Sequence, residues 1–197
     1  MKITSILNQL STQEIAKLTI QLFVVINVLS AIPFMIRAKK VSGKINALKC
    51  TGTGLTLSIL FLLVGKYLLA INEVSITIFR AAGGVVLLLL GIEMVFDITI
   101  SKMTIEDGKD PSVVPLSFPM TIGAGTLTTL VSFREMYALI NVLGALFLNT
   151  LLIYLILSWA EKIEKIVGVL FLQVLQRITG LLLISFAIQA LKNGFFS

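Results

Sequence analysis

Histidine is absent from this chain, and cysteine occurs once, at position 50. The first absence removes the commonest metal ligand and the usual proton shuttle near neutral pH. Neither a metal centre nor a cofactor is expected. The second means that no disulfide can form within the chain. Charge is scarce as well: 13% of residues are Asp, Glu, Lys or Arg, where an ordinary soluble domain has about 25%. That is too little polar surface to coat a water-soluble globule. No nucleophile–base pair, phosphate loop or metal cluster is legible, so no enzyme is expected.

What is abundant is apolar residues, 57% of the chain, with a mean hydropathy of +1.02. Apolar runs long enough to cross a bilayer fall at 18–36, 50–71, 76–96, 113–131, 137–159 and 174–191. The first is about 19 residues long. It exceeds a signal-peptide core, and no small-x-small cleavage site follows, so it reads as a retained helix. Asn72 and Glu73 make a tight turn, 132–135 and 161–165 read as polar turns, and 166–173 as an interfacial approach to the last span. The predicted fold is an all-α membrane protein, residues 1–197 forming one transmembrane domain of six helices.

The net charge of +6 comes from basic residues in loops beside the apolar runs, not from a basic patch with interleaved aromatics, so no nucleic acid partner is expected. The loop at 37–49 holds five basic residues and no acid. Placing it in the cytoplasm puts ten of the 16 basic residues inside, as the positive-inside rule requires. The expectation is a multi-pass protein of the cytoplasmic (inner) membrane with both termini outside, surrounded by lipid and able to form homo-oligomers.

The halves echo one another. Arg80-Ala81-Ala82-Gly83 opens the third span and Arg177-Ile178-Thr179-Gly180 the sixth, 97 positions on, each before a leucine-rich run. Three helices per half is an odd number, so the second half enters the membrane in the opposite sense. This gives a 3+3 inverted repeat, a common plan of secondary transporters: 15–96, a cytoplasmic linker at 97–112, and 113–194.

Two spans are unusual. The first carries Asn27, Ser30 and Pro33. The fourth packs Pro115, Pro119, Gly123, Gly125 and four threonines, among them Thr126 and Thr128, into 15 residues. Both are expected to be broken helices, the fourth unwound around Gly123 to Gly125. Irregular backbone at membrane depth survives only where protein or a wet cavity satisfies it, and a half-helix N-terminus attracts a carboxylate. The rival reading is a kinked helix whose small residues serve packing. Arg80 and Arg177 either snorkel to headgroups or cap the broken helices. Glu93, one turn before Asp97, is either an interfacial acid or a carrier of a coupling proton. Lys66 reads as snorkelling outward, Asn149 as an interhelical hydrogen-bonder, and Gly83, Gly84, Gly91, Gly144 and Gly180 as close-packing sites.

Several of these stretches resemble the MarC family of inner-membrane proteins: Asn27 to Pro33; Arg80-Ala81-Ala82-Gly83-Gly84 leading to Gly91-Ile92-Glu93-Met94; Val114-Pro115-Leu116-Ser117-Phe118-Pro119 with Gly123-Ala124-Gly125; and Arg177-Ile178-Thr179-Gly180-Leu181 ending in Gln189 and Asn193-Gly194. Val28, Ser30 and Ala124 depart from the family pattern, which has proline, glycine and a central proline there. The resemblance extends to SnatA proteins, near the LysE-like exporters, and so implies transport of small neutral amino acids such as glycine or alanine. On that reading the solute would meet Asn27, Ser30, Pro33, Pro119, Gly123, Gly125, Thr126 and Thr128, with Arg80, Glu93 and Arg177 in coupling or capping roles. The alternatives are a non-transporting membrane scaffold or regulatory protein, and an exporter of another small metabolite or drug.

Overall fold

A computed structural model describes residues 11–26, 28, 31–32, 35–36, 39–40, 45–98 and 110–195. Asn27, Ser30 and Pro33 lie outside the described residues. All regular structure among the described residues is helical: α1 (Thr12–Ile26), α2 (Ala47–Ile71), α3 (Ile76–Phe96), a wide-turn segment (Ser112–Thr121), α4 (Ala124–Met136), α5 (Leu139–Ser158), α6 (Ala160–Val167) and α7 (Val169–Phe195). Four of these, α2, α3, α5 and α7, are long and apolar enough to cross a membrane. Beyond α1, Val28, Ala31, Ile32, Met35 and Ile36 are buried at helical spacing.

Local chemistry sets the helix ends. The Asn46 side chain caps α2 by accepting from Lys49 N–H, and Ser75 caps α3 by accepting from Ile78 N–H. Asp97 closes α3 in the left-handed conformation, φ 55. Gly168 separates α6 from α7 at φ 79 with open space around it, a conformation that a side chain would strain.

Three sequence expectations change. Residues 132–135 are not a turn: α4 runs through them to Met136, because a helix end at the rim of a bundle can hold Arg134 and Glu135 in water. Residues 161–165 are not a turn either but most of α6, where Ile163 packs inward and the charges face out. There is no separate approach at 166–173: residues 166–167 end α6, and the last helix starts at Val169.

The helices pack as two unlike groups. α3 and α7 form a close antiparallel pair, with Ala81 against Gly194, Gly84 against Ala187 and Gly91 against Gly180. Gly84 and Gly91, like Gly180, Ala187 and Gly194, are seven residues apart, the period that keeps one stripe facing a neighbour. The other group joins α1 to α5, and α2 to the wide-turn segment, α4 and α5. There Asn149 Nδ2 donates to Thr19 O at 3.1 Å, as an interhelical hydrogen bond was expected to, and Gly144 faces Ile15. Asn141 ties down the start of α1, accepting from Ser11 N–H at 3.1 Å and donating to Glu14.

Polar contacts sort to two ends. One end has the ion pairs Lys39–Glu161 (2.8 Å) and Lys49–Asp110 (2.7 Å). The other has Lys66–Glu135 (3.0 Å), so Lys66 is paired rather than simply reaching outward.

Candidate functional site

The backbone between Pro111 and Ala124 fails to form an α-helix for reasons written in its sequence. Proline lacks an N–H and pushes the residue before it toward extended backbone. Val114 (φ −123, ψ 124) precedes Pro115, and Phe118 (φ −128, ψ 129) precedes Pro119; both are extended. The remaining hydrogen bonds skip five residues: Leu116 N–H to Pro111 O (3.1 Å), Ile122 N–H to Ser117 O (2.8 Å) and the Thr121 hydroxyl to Leu116 O (2.7 Å). Wide turns of this kind recur at functional sites.

The chain then straightens through Ile122 (ψ 86) and Gly123 (φ −98, ψ −178) before α4 begins. The break therefore lies at Ile122–Gly123, not across Gly123 to Gly125. Gly125 is already helical, and the backbone of Gly123 is one that any residue adopts. The prolines account for the wide turns that lead into it. Thr121, Ile122, Gly123, Gly125 and Thr126 are buried. The first turn of α4 thus starts inside the bundle, and its leading N–H groups have no partner within the helix. No side chain among the described residues caps Gly123.

The neighbours are small and partly polar. A Cβ on Gly54 of α2 would stand 2.9 Å from Ile122 and 3.3 Å from Ser117 Oγ. Leu87 of α3 covers Gly125, and Thr128 fills the space beside Gly83. Both Thr128 and Thr129 donate to Gly125 O, at 3.0 and 2.8 Å. The Ser58 and Ser117 hydroxyls are wholly buried without an oxygen or nitrogen partner among the described residues. Buried polar atoms left in this way mark places that water or a solute can satisfy.

A cavity of about 270 Å³ opens one turn further along α4, between α1, α3, α4 and α7. Thr128 and Gly83 line it, together with Lys17, Arg80, Ser132 and Tyr137. Arg80 Nε donates to Ser132 Oγ at 3.3 Å. Lys17 Nζ donates to Tyr137 OH at 3.2 Å and lies 5.7 Å from the ring centre.

The sequence-derived residues are therefore partly united. Gly123, Gly125 and Thr126 sit at the break, Pro119 belongs to the wide turns before it, and Thr128 joins break to cavity. The three charged candidates are not brought together. Arg80 lines the cavity, Arg177 is exposed on α7, and Glu93 lies six residues past Leu87, toward the other end of α3. Sequence reasoning missed Lys17, Gln21, Ser132 and Tyr137 as cavity residues. The available signal was the spacing of Lys17, Gln21 and Val25, one stripe of α1.

At the opposite end the wide-turn segment is moored to α2. Asn46 N–H donates to Ser112 Oγ (2.8 Å), and Asp110 accepts from Lys49 and from Ser112 N–H (3.0 Å). These bonds, that from Lys49 foremost, hold the Asp110 carboxyl at about 2. Lys39 likewise lowers Glu161 by hydrogen bonding.

Comparison with known proteins gives one family, described as MarC family integral membrane protein, matched over residues 12–196. A UPF0056 membrane protein of Pyrococcus abyssi is 28% identical over 192 residues, covering 91% of this chain and 92% of the relative. A UPF0056 membrane protein of Buchnera aphidicola from Acyrthosiphon pisum is 28% identical over 187 residues, 92% and 95% of the two chains. The UPF0056 inner membrane protein YhgN of Escherichia coli is 28% identical over 145 residues, 71% and 73%. No solved structure matches.

Proposed function

The chain belongs to the MarC family of integral membrane proteins, and on that footing we propose that it is a secondary transporter of a small polar solute across the cytoplasmic membrane, with small neutral amino acids such as glycine or alanine as first candidates. One observation carries this reading: a break at Ile122–Gly123 that follows two proline-driven wide turns, buried against α2 and α3, with Thr121, Thr126 and Thr128 buried around it. A helix start exposed within a membrane bundle offers free N–H groups to a solute carboxylate. A scaffold has no need of such a start, because a continuous helix satisfies its own backbone.

The 3+3 inverted repeat belongs to the same proposal. The packing pattern supports it: α1 lies on α5 as α4 lies on α2, while α2–α5 and α3–α7 each map onto themselves when the halves are exchanged. Both ends of α4 and its preceding segment are pinned at opposite ends of the bundle, by Lys49–Asp110 and Lys66–Glu135, as a full crossing requires.

The test is uptake of labelled glycine or alanine into proteoliposomes holding purified protein, with Gly125→Val alongside. Uptake by the wild type, lost in a variant that still inserts and purifies, is the expected result. Wild-type vesicles no leakier than protein-free ones, for every amino acid tried, would leave the scaffold reading in its place.

A further inference from the structure

The cavity between α1, α3, α4 and α7 has a charge imbalance that the broken helix does not explain. Two cations line it, Lys17 and Arg80, and no carboxylate does among the described residues. Neither cation is in an ion pair among the described residues, since the pairs there join Lys39, Lys49 and Lys66 to other acids. Each instead donates to a neutral hydroxyl, Tyr137 and Ser132, and those bonds hold the charged groups in place without neutralising them. Helix dipoles do not supply the missing negative charge. The starts of α1 and α3 and the ends of α4 and α7 meet at this end of the bundle, so their partial charges offset one another. What remains is the formal charge of Lys17 and Arg80.

We propose that this cavity is a binding site for the carboxylate of a small soluble molecule, held between Lys17 and Arg80. Arg80 keeps the remaining guanidinium N–H groups for a planar oxyanion, and a guanidinium suits carboxylate geometry. At about 270 Å³ the space falls just below the roughly 300 Å³ at which pockets for drug-sized ligands begin, which favours a molecule of a few heavy atoms. Thr128 and Gly83 form the inner wall, and Thr128 lies five residues beyond Gly123 on α4, so the cavity and the break share one helix. The site is a property of the cavity and holds whether or not the protein transports.

A lipid phosphate presents similar oxygens, so the experiment has two arms. In the first, purified full-length protein in uncharged detergent is titrated with propionate, propionamide and propylammonium at fixed ionic strength, following thermal stability. Propionate alone should stabilise. Lys17→Gln and Arg80→Gln should each weaken it by about tenfold or more, the scale of a lost charged hydrogen bond, whereas Arg80→Lys should retain part of it and Lys192→Gln, an exposed cation outside the cavity, all of it. Gln189→Glu, at an exposed position on the cavity wall, should abolish propionate binding by supplying the missing carboxylate; it keeps the test alive should Arg80→Gln misfold. In the second arm the protein is placed in nanodiscs of phosphatidylcholine or of phosphatidylglycerol. Equal stabilisation by propionate and propionamide, or a Lys17- and Arg80-dependent stabilisation that follows phosphatidylglycerol and not propionate, would overturn the proposal.

Discussion

The α3–α7 seam and the crossing of α2 with the interrupted segment both depend on small residues, and the two use them in opposite ways. In the seam, Gly91 and Gly180 let two regular helices touch backbone to backbone: a Cβ on either would lie 3.0 Å from the carbonyl oxygen of the other. In the crossing, Gly54 and Gly65 let α2 approach side chains, Ile122 and Val131, while prolines on the other partner break the helix. The seam has no polar side chain at its glycine contacts. The crossing buries Ser58, Ser117, Thr121 and Thr126. Glycine in a membrane helix is thus ambiguous by itself, and the residues around it decide whether it serves packing or a site.

The comparison is broken most forcefully at the seam. Gly91→Leu or Gly180→Leu drives a side chain into backbone that cannot move aside. The expected loss is about 3 kcal/mol, at the upper end for overpacking, visible as aggregation on size exclusion or a large fall in melting temperature. Gly144→Ala should be far milder, because its Cβ would meet only the flexible Ile15 side chain at 3.2 Å. A Gly91→Leu protein as stable as wild type would remove the distinction between the two regions.

Gly125→Val sharpens the comparison from the other side. Its new side chain meets the Leu87 side chain, with no backbone atom among the near contacts. Stability should fall by about 1–2 kcal/mol, while solute uptake is lost. Gly123→Ala is the companion. The extended backbone of Gly123 accepts alanine without strain, so a loss of uptake in a variant that inserts and melts like the wild type reports a close approach of solute. Normal uptake by both variants would make the interrupted segment a packing device like the seam.

These contrasts also show what the sequence made legible. The four continuous apolar helices follow from composition alone. The turn at Asn72–Glu73 and the capping Ser75 follow from local chemistry. The interruption of the fourth span was foreseen from its prolines, glycines and threonines, but it was centred on Gly123 to Gly125, whereas extended backbone already appears before Pro115 and Pro119 and α4 begins at Ala124. α4 ran past its expected end because Arg134 and Glu135 sit in water at the rim of the bundle, where Lys66, distant in sequence, pairs with Glu135. The cavity was illegible because Lys17, Arg80, Ser132 and Gln189 come from four helices, and only packing brings them together.

A smaller effect is expected at Asn149. Its amide crosses to Thr19 O, but its own Oδ1 is buried without a partner among the described residues. Asn149→Ala removes two hydrogen bonds, to Thr19 O and Ala145 O, and one unsatisfied oxygen together, so the net cost should be about 1 kcal/mol, read as a small melting shift with uptake unchanged. Asn149→Leu, which keeps volume and removes both polar atoms, should be close to neutral. A loss of uptake in either would move Asn149 from the packing side of the comparison to the solute side.

The smallest effect concerns the mooring of the interrupted segment to α2. Asp110 titrates at about 2 when folded, below the ordinary value of 3.8, because Lys49 and Ser112 hydrogen-bond its charged form. A carboxyl lowered by folding stabilises the native state above its unfolded pKa, and that contribution is lost as pH falls through the folded one. The mooring should therefore be intact above about pH 4, the unfolded aspartate range, and fade between there and about 2. The pair is solvent-exposed, so screening keeps its worth low, and salt should reduce it further. The measurement is melting temperature against pH for wild type and Asp110→Asn. The two curves should differ slightly at neutral pH, converge as pH approaches 2, and lie closer throughout in high salt. A difference that persists at the lowest pH would mean that Asp110 acts through its neutral hydrogen bonds to Ser112, and that the segment is moored by geometry, as the α3–α7 seam is, and not by charge.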